Sequence, residues 1–114
     1  MMDNSPYVKR LVKTFLDVII LSMLIENPQH GYKIIEDIHL IYNVFLSPGT
    51  LYPALYDLQK RGLVVVKKGS RKKVYYPTLK GKKEFLKMER EYKSNTHKIF
   101  KILDNITSDM KQLS

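Results

Sequence analysis

LSPGTLYPALYDLQKRGLVVVKKGSRKKVYYPTLKGKK, residues 46–83, changes its hydrophobic period partway along. In its first half Leu51, Leu55 and Leu58 recur at helical spacing, Ser47-Pro48 forms a cap-plus-proline start, and Gly62 marks a stop. In its second half Leu63–Lys68 and Lys72–Tyr76 are rich in β-branched and aromatic residues, with a turn over Gly69, Ser70 and Arg71. A helix followed by a hairpin is predicted. Pro53 disturbs the helix, because an internal proline loses a backbone hydrogen bond. A tight turn over Ser47–Thr50, with regular helix from about Tyr52, would leave it in a first turn where the missing N–H is harmless. Pro77 cannot donate to a ladder, so the second strand ends there or lies at an edge.

The charge has the same focus. Residues 58–83 hold ten basic side chains and no acidic one, so the whole +9 of this 114-residue chain lies in one stretch. A like-charge block is ordinarily a solvated, disordered tail. This one is internal and interleaved with Leu63-Val-Val-Val66 and Val74-Tyr-Tyr76, runs that a disordered segment lacks. Such a patch calls for a polyanion, either nucleic acid or an anionic membrane. A membrane surface loses ground because the charge falls on a β-ribbon and not on a basic amphipathic helix.

Working outward, Ser5-Pro6 is another cap-plus-proline start, and Val8, Leu11, Val12, Phe15, Leu16, Ile19 and Met23 follow a helical period. One helix over 6–26 and a pair over 6–13 and 14–26 both fit. A Thr14–Asp17 capping box favours the pair, and Asn27-Pro28 ends it. Gly31–Tyr42 predicts a short amphipathic helix, with His30 capping or packing at its start. After Thr78, a helix cap, Phe85, Tyr92, Ile99, Ile106 and Leu113 recur every seven residues, flanked by Met88, Ile102, Leu103 and Met110. That stripe could pack on its own domain. Residues 85–113, however, would span about 43 Å as a helix, longer than a domain of this size can cover, so the overhang should pack on a partner.

Other classes fall away. Cysteine is absent, which removes disulfides, thiolate metal sites and cysteine nucleophiles. The N-terminus lacks a signal-peptide pattern, and the longest apolar run is too short to span a bilayer. A cytoplasmic protein, associated with DNA, is the expectation. His30, His39 and His97 lack partners at metal-ligand spacing, and no nucleophile elbow, P-loop or carboxylate pair appears. No cofactor, metal or catalytic residue is assigned.

The predicted fold is mainly α with a two-stranded β-wing, a winged helix-turn-helix followed by a long C-terminal helix. Its division is a DNA-binding domain over 1–79, with helices 6–13, 14–26, 31–42 and 48–61 and a wing over 63–77, and a dimerisation helix over 80–114. In such a fold the second helix of the pair enters the major groove while the ribbon reaches the neighbouring backbone.

Three segments carry a family resemblance: Leu24-Ile-Glu-Asn-Pro-Gln-His-Gly-Tyr32, Leu46-Ser-Pro-Gly-Thr-Leu-Tyr-Pro53 with the leucine-spaced helix to Leu63, and Lys73-Val-Tyr-Tyr-Pro-Thr-Leu-Lys-Gly81. In that order they resemble the PadR family of transcriptional regulators, over residues 14–85. The resemblance implies a homodimeric winged-helix repressor of the short type, with one C-terminal dimerisation helix. Leu79 replaces the family's acidic residue after Thr78, Pro77 fills an apolar slot, and the absence of tryptophan removes any effector pocket built on stacked indoles. The pattern also favours a DNA contact for Tyr52.

The candidate DNA-binding residues are Tyr32, Ser47, Gly49, Thr50, Tyr52, Pro53, Lys60, Lys68, Arg71, Lys72 and Lys73. Ser47 and Thr50 can offer hydroxyls and helix N–H groups to phosphates or base edges, although Ser47 can equally be a plain cap. Arg71 is the candidate for a narrow minor groove, and the lysines neutralise phosphates without reading sequence. Asp57 is unfavourable near phosphate, so the far end of the helix should leave the groove. The candidate dimerisation residues are Phe85, Met88, Tyr92, Ile99, Ile102, Leu103, Ile106 and Met110. The leading reading is a sequence-specific regulator, a repressor acting as a homodimer on a pseudo-palindromic operator. A non-specific DNA-coating protein or a winged-helix protein-interaction module is the alternative. A small-molecule effector near Phe100 or Met23 is compatible, but no polar constellation identifies one.

Overall fold

A computed structural model describes residues 5–113. Ser5 caps α1 (Pro6–Thr14) by accepting from the Tyr7 N–H at 3.2 Å, with Pro6 at the first helical position. A single residue, Phe15, separates α1 from α2 (Leu16–Glu26). The Thr14–Asp17 capping box does not form. The Phe15 N–H donates to the Leu11 carbonyl and the Ile19 N–H to that of Phe15, so Phe15 and not Thr14 stands at the N-cap of α2, one residue out of the box's register. The Asp17 carboxylate turns instead to the Val18 N–H and the Tyr92 hydroxyl.

α2 is apolar nearly all round and buries Leu16, Ile20, Leu21, Met23 and Leu24, which makes it the central helix of the domain. α3 (Gly31–Tyr42) ends at Asn43, whose left-handed φ of 57° closes the helix. α4 (Pro48–Lys60) turns Leu51, Leu55 and Leu58 into the core. Its helix starts at Pro48 and keeps Pro53 inside, although the Ser47 carbonyl accepts from both Thr50 and Leu51, so the first turn is tight. Gly62, at φ 76°, ends α4 in a Schellman motif: Leu63 N–H donates to the Leu58 carbonyl and Gly62 N–H to that of Gln59.

β2 (Val64–Lys68) and β3 (Lys73–Pro77) form the antiparallel wing, and a third strand, β1 (Gln29–His30), gives the sheet order β1-β3-β2. The ribbon is therefore three-stranded at its base. β3 tolerates Pro77 while lying in the middle, because β1 reaches only Val74 and Tyr75. α5 (Leu79–Leu113) starts on a compact joint: the Thr78 hydroxyl donates to the Gly62 carbonyl at 2.7 Å and accepts from the Gly81 N–H at 2.9 Å. Gly81 lies against the Leu63 carbonyl so closely that a Cβ would overlap it. The last buried side chain of α5 is Met88, and every described residue beyond Thr96 is exposed, which draws the molecule out to 63 × 34 × 21 Å.

Candidate nucleic-acid interface

Ser47, Pro48 and Gly49 are exposed at the start of α4, with Thr50 half-buried beside them. Ser47 occupies the N-cap position, yet its hydroxyl makes no cap bond and lies 3.2 Å from that of Thr50. The helix therefore presents a pair of hydroxyls and the Gly49 N–H at its positive end, a surface suited to anions. Pro53 and Tyr56 are exposed along the same helix, and Tyr52 is half-buried. At its far end the Lys60 ammonium lies over the Tyr56 ring at 5.5 Å. Arg61 pairs with Asp57 at 3.3 Å, an exposed bridge that partly offsets the unfavourable carboxylate.

Strand register sorts the basic residues of the wing. Val64 faces Pro77, Val66 faces Tyr75 and Lys68 faces Lys73, so these side chains share one face. Tyr75 and Val64 on that face are buried, and Lys68 and Lys73 carry it past the core to the exposed tip. Lys67 lies on the other face, its ammonium 4.9 Å from the centre of the Tyr76 ring. The Gly69 N–H donates to the Lys72 carbonyl at 2.7 Å, closing the turn that holds Arg71 outward. Lys68 directly opposite Lys73 is an unfavourable like-charge pair that an approaching polyanion relieves.

Wing and helices meet at a cleft of about 390 Å³ lined by Tyr32, Tyr52, Tyr75 and the run Arg71–Lys73. His30 stands at its edge: Nδ1 accepts from the Lys33 N–H at 3.3 Å, capping α3, and Nε2 lies 3.4 Å from the Lys72 ammonium. Tyr32 meets Tyr52 edge to face at 6.4 Å. Burial, and then the neighbouring Tyr32, pushes the Tyr52 phenol up from its usual range; burial, and then Tyr52, does the same to Tyr75. A phenol is protonated at neutral pH without any such shift, and the half-buried Tyr52 hydroxyl can donate to a phosphate. Of the sequence candidates, Tyr32, Tyr52, Arg71, Lys72 and Lys73 converge here, Ser47, Gly49, Thr50 and Pro53 lie along the start of α4, and Lys60 stands apart at its far end. Tyr75 and His30 were not among them; a buried tyrosine in a strand and a capping histidine read simply as structure.

The seam on α5 divides in two. Phe85, Met88 and Tyr92 pack on the protein's own core, and Tyr92 meets Phe15 edge to face at 5.0 Å. Ile99, Ile102, Leu103, Ile106 and Met110 are exposed, as are Tyr7, Val8 and Leu11 on α1. The stripe does not make one surface, because the globular domain covers Phe85, Met88 and Tyr92. Met23 lies in the core and Phe100 on the exposed arm. Among the described residues no helix is long and apolar enough to cross a membrane, and no cluster of three metal-ligating side chains occurs.

Residues 20–87 match the family model described as "Transcriptional regulator PadR-like family". The transcriptional activator GvpE1 of Halobacterium salinarum is 34% identical over 59 residues, 52% of this chain and 31% of that protein. Its counterpart GvpE from Haloferax mediterranei is 31% identical over 67 residues, 59% of this chain and 35% of that protein. The chain thus matches about a third of the length of these relatives. Among solved structures, a transcriptional regulator from Clostridium thermocellum superposes with a TM-score of 0.75 at 29% identity, covering 81% of this chain and 96% of the other. A PadR family regulator from Clostridium difficile gives 0.70 at 25% identity, over 78% and 98% of the two chains.

Proposed function

The chain belongs to the PadR-like family of transcriptional regulators, and from that premise we propose that it acts as a homodimer that reads a pseudo-palindromic operator in double-stranded DNA. A member of a family of regulators, it is not an enzyme. One observation carries the reading: Tyr52 of α4 and Arg71, Lys72 and Lys73 of the wing line a single cleft, so a helix for a groove and cations for the adjoining backbone stand side by side. Ser47, Gly49, Thr50 and Pro53 face the groove. Tyr32, Tyr52, Lys68, Lys72 and Lys73 take phosphates, Arg71 reaches the minor groove, and Lys60 adds a backbone contact beyond the far end of α4. The exposed half of the α5 seam, Ile99 to Met110, joins the two copies. Two-fold symmetry then sets the reading helices about one DNA turn, roughly 34 Å, apart.

Repression is the proposed sign of regulation. A dimer that occupies an operator blocks access with no further contact, whereas activation, the activity in the names of the two archaeal relatives, also needs a surface for the transcription machinery. Control by a small effector is compatible with this scheme, as is a cytoplasmic site of action on DNA. Selection of bound sequences from a random duplex pool at fixed salt tests the central claim. A symmetric consensus with half-sites one turn apart is the expected result, and enrichment of nothing over random duplex overturns it. A footprint that spreads without a boundary would instead mark a coating protein. Transcription from a promoter carrying the selected site should fall on adding the protein; a rise would reverse the sign.

A further inference from the structure

Gly31 is buried at the first position of α3, and its backbone does not require glycine: among the described residues only Gly62 and Asn43 have positive φ. An alanine would ordinarily be neutral or favourable at a helical position. The obstacle lies on another element. A Cβ at Gly31 would fall 2.6 Å from Cζ of Tyr52 and 2.8 Å from its Cε1, and closer still to the hydroxyl. No other side chain or backbone group comes nearer to that position, so the missing side chain makes room for one phenol ring.

The seat matters because of where the ring then points. Tyr52 belongs to the second turn of α4, yet it lies across the N-terminus of α3, against Tyr32 and beside Tyr75 in the cleft bordered by the wing. The ring couples the two helices of the helix-turn-helix to each other and to β3. We infer that Gly31 is a positioning residue for DNA recognition: it touches no DNA and acts by seating Tyr52, so that the phenol hydroxyl reaches the backbone phosphate entering the cleft. This deepens the proposed function and rests on it.

A side chain at Gly31 meets the outer part of a ring that can swing about its own χ1, so Gly31→Ala should displace Tyr52 and leave the backbone in place. The test is a cycle in the full-length chain: wild type, Gly31→Ala, Tyr52→Ala and the double variant, each measured for thermal unfolding without DNA and for affinity to the selected duplex. Losing a hydrogen bond to a charged phosphate should weaken binding about tenfold in Tyr52→Ala. Gly31→Ala should match that loss, and the double variant should bind no more weakly than Tyr52→Ala alone. In the absence of DNA, the double variant should melt at or above Tyr52→Ala, because the alanine then meets no ring. Wild-type affinity in Gly31→Ala, losses that multiply, or a double variant less stable than Tyr52→Ala each overturn the inference. If Gly31→Ala alone fails to fold, recovery of the fold in the double variant supports it, and failure of both overturns it. Should wild type select no duplex, the operator reading falls, while the unfolding half of the cycle still decides whether Gly31 seats Tyr52.

Discussion

Tyr92 joins two helices that are far apart in sequence. Its hydroxyl donates to the Asp17 carboxylate at 3.1 Å and its ring packs against Phe15, so the root of α5 is pinned to the start of α2. Tyr92→Phe keeps the ring and removes the bond, which should cost about 1 kcal/mol and lower Tm by about 5 °C. The pH dependence follows from the same site. Burial, then the Asp17 charge and hydrogen bond, raise the Tyr92 phenol above its ordinary value of 10.0. A group whose folded pKa is raised binds its proton more tightly when folded. Its stabilisation is complete below the unfolded value and is lost as pH rises from there through the folded one. Urea midpoints followed from about pH 8 to about pH 11 should therefore fall more steeply for wild type than for Tyr92→Phe, and equal slopes would show that the carboxylate contact does not hold in solution.

Among the elements, the wing carries the basic run from which its proposed contact with DNA is read. Replacing Arg71, Lys72 and Lys73 together by alanine should weaken duplex binding and reduce the slope of log affinity against log salt by about 2 to 3. An unchanged slope would remove the wing tip from the contact surface. Much of this architecture was legible. Ser47-Pro48 and Gly62 bracket α4 because caps and stops are local chemistry, and the two strands of the wing show as β-branched runs. What stayed hidden depended on contacts between distant segments. Gln29-His30 is too short and polar to announce a strand, and becomes one only because β3 lies alongside. The Thr14–Asp17 box had the right spelling, but Phe15 takes the cap position of α2. Pro53 sits within a helix because the buried Leu51–Leu55–Leu58 stripe outweighs one lost bond. The cations of the site could be read directly, whereas the Gly31–Tyr52 seat joins residues twenty-one positions apart and leaves no periodic trace. The heptad marked an apolar stripe on α5 without saying which half the domain would cover.

For the whole molecule, the proposed dimer rests on the exposed half of that stripe. Ile102 and Ile106 lie one turn apart beyond the last contact of α5 with its own domain. Ile102→Asp with Ile106→Asp should leave the monomer's unfolding intact, since neither side chain is in the core, while halving the mass measured by sedimentation. Operator affinity should fall by at least a hundredfold as the second half-site is lost. A variant that keeps the wild-type mass would place the interface elsewhere.

The opposition of Lys68 and Lys73 across the wing has an effect that reaches the whole domain. The surplus of +9 is concentrated in residues 58–83, so added electrolyte screens repulsion within the free protein and should raise its melting temperature. The same electrolyte competes with the protein for phosphate and should loosen the complex. Ionic strength thus pulls in opposite directions on the folded state and on its occupancy of DNA, and melting curves with and without duplex should converge as salt rises.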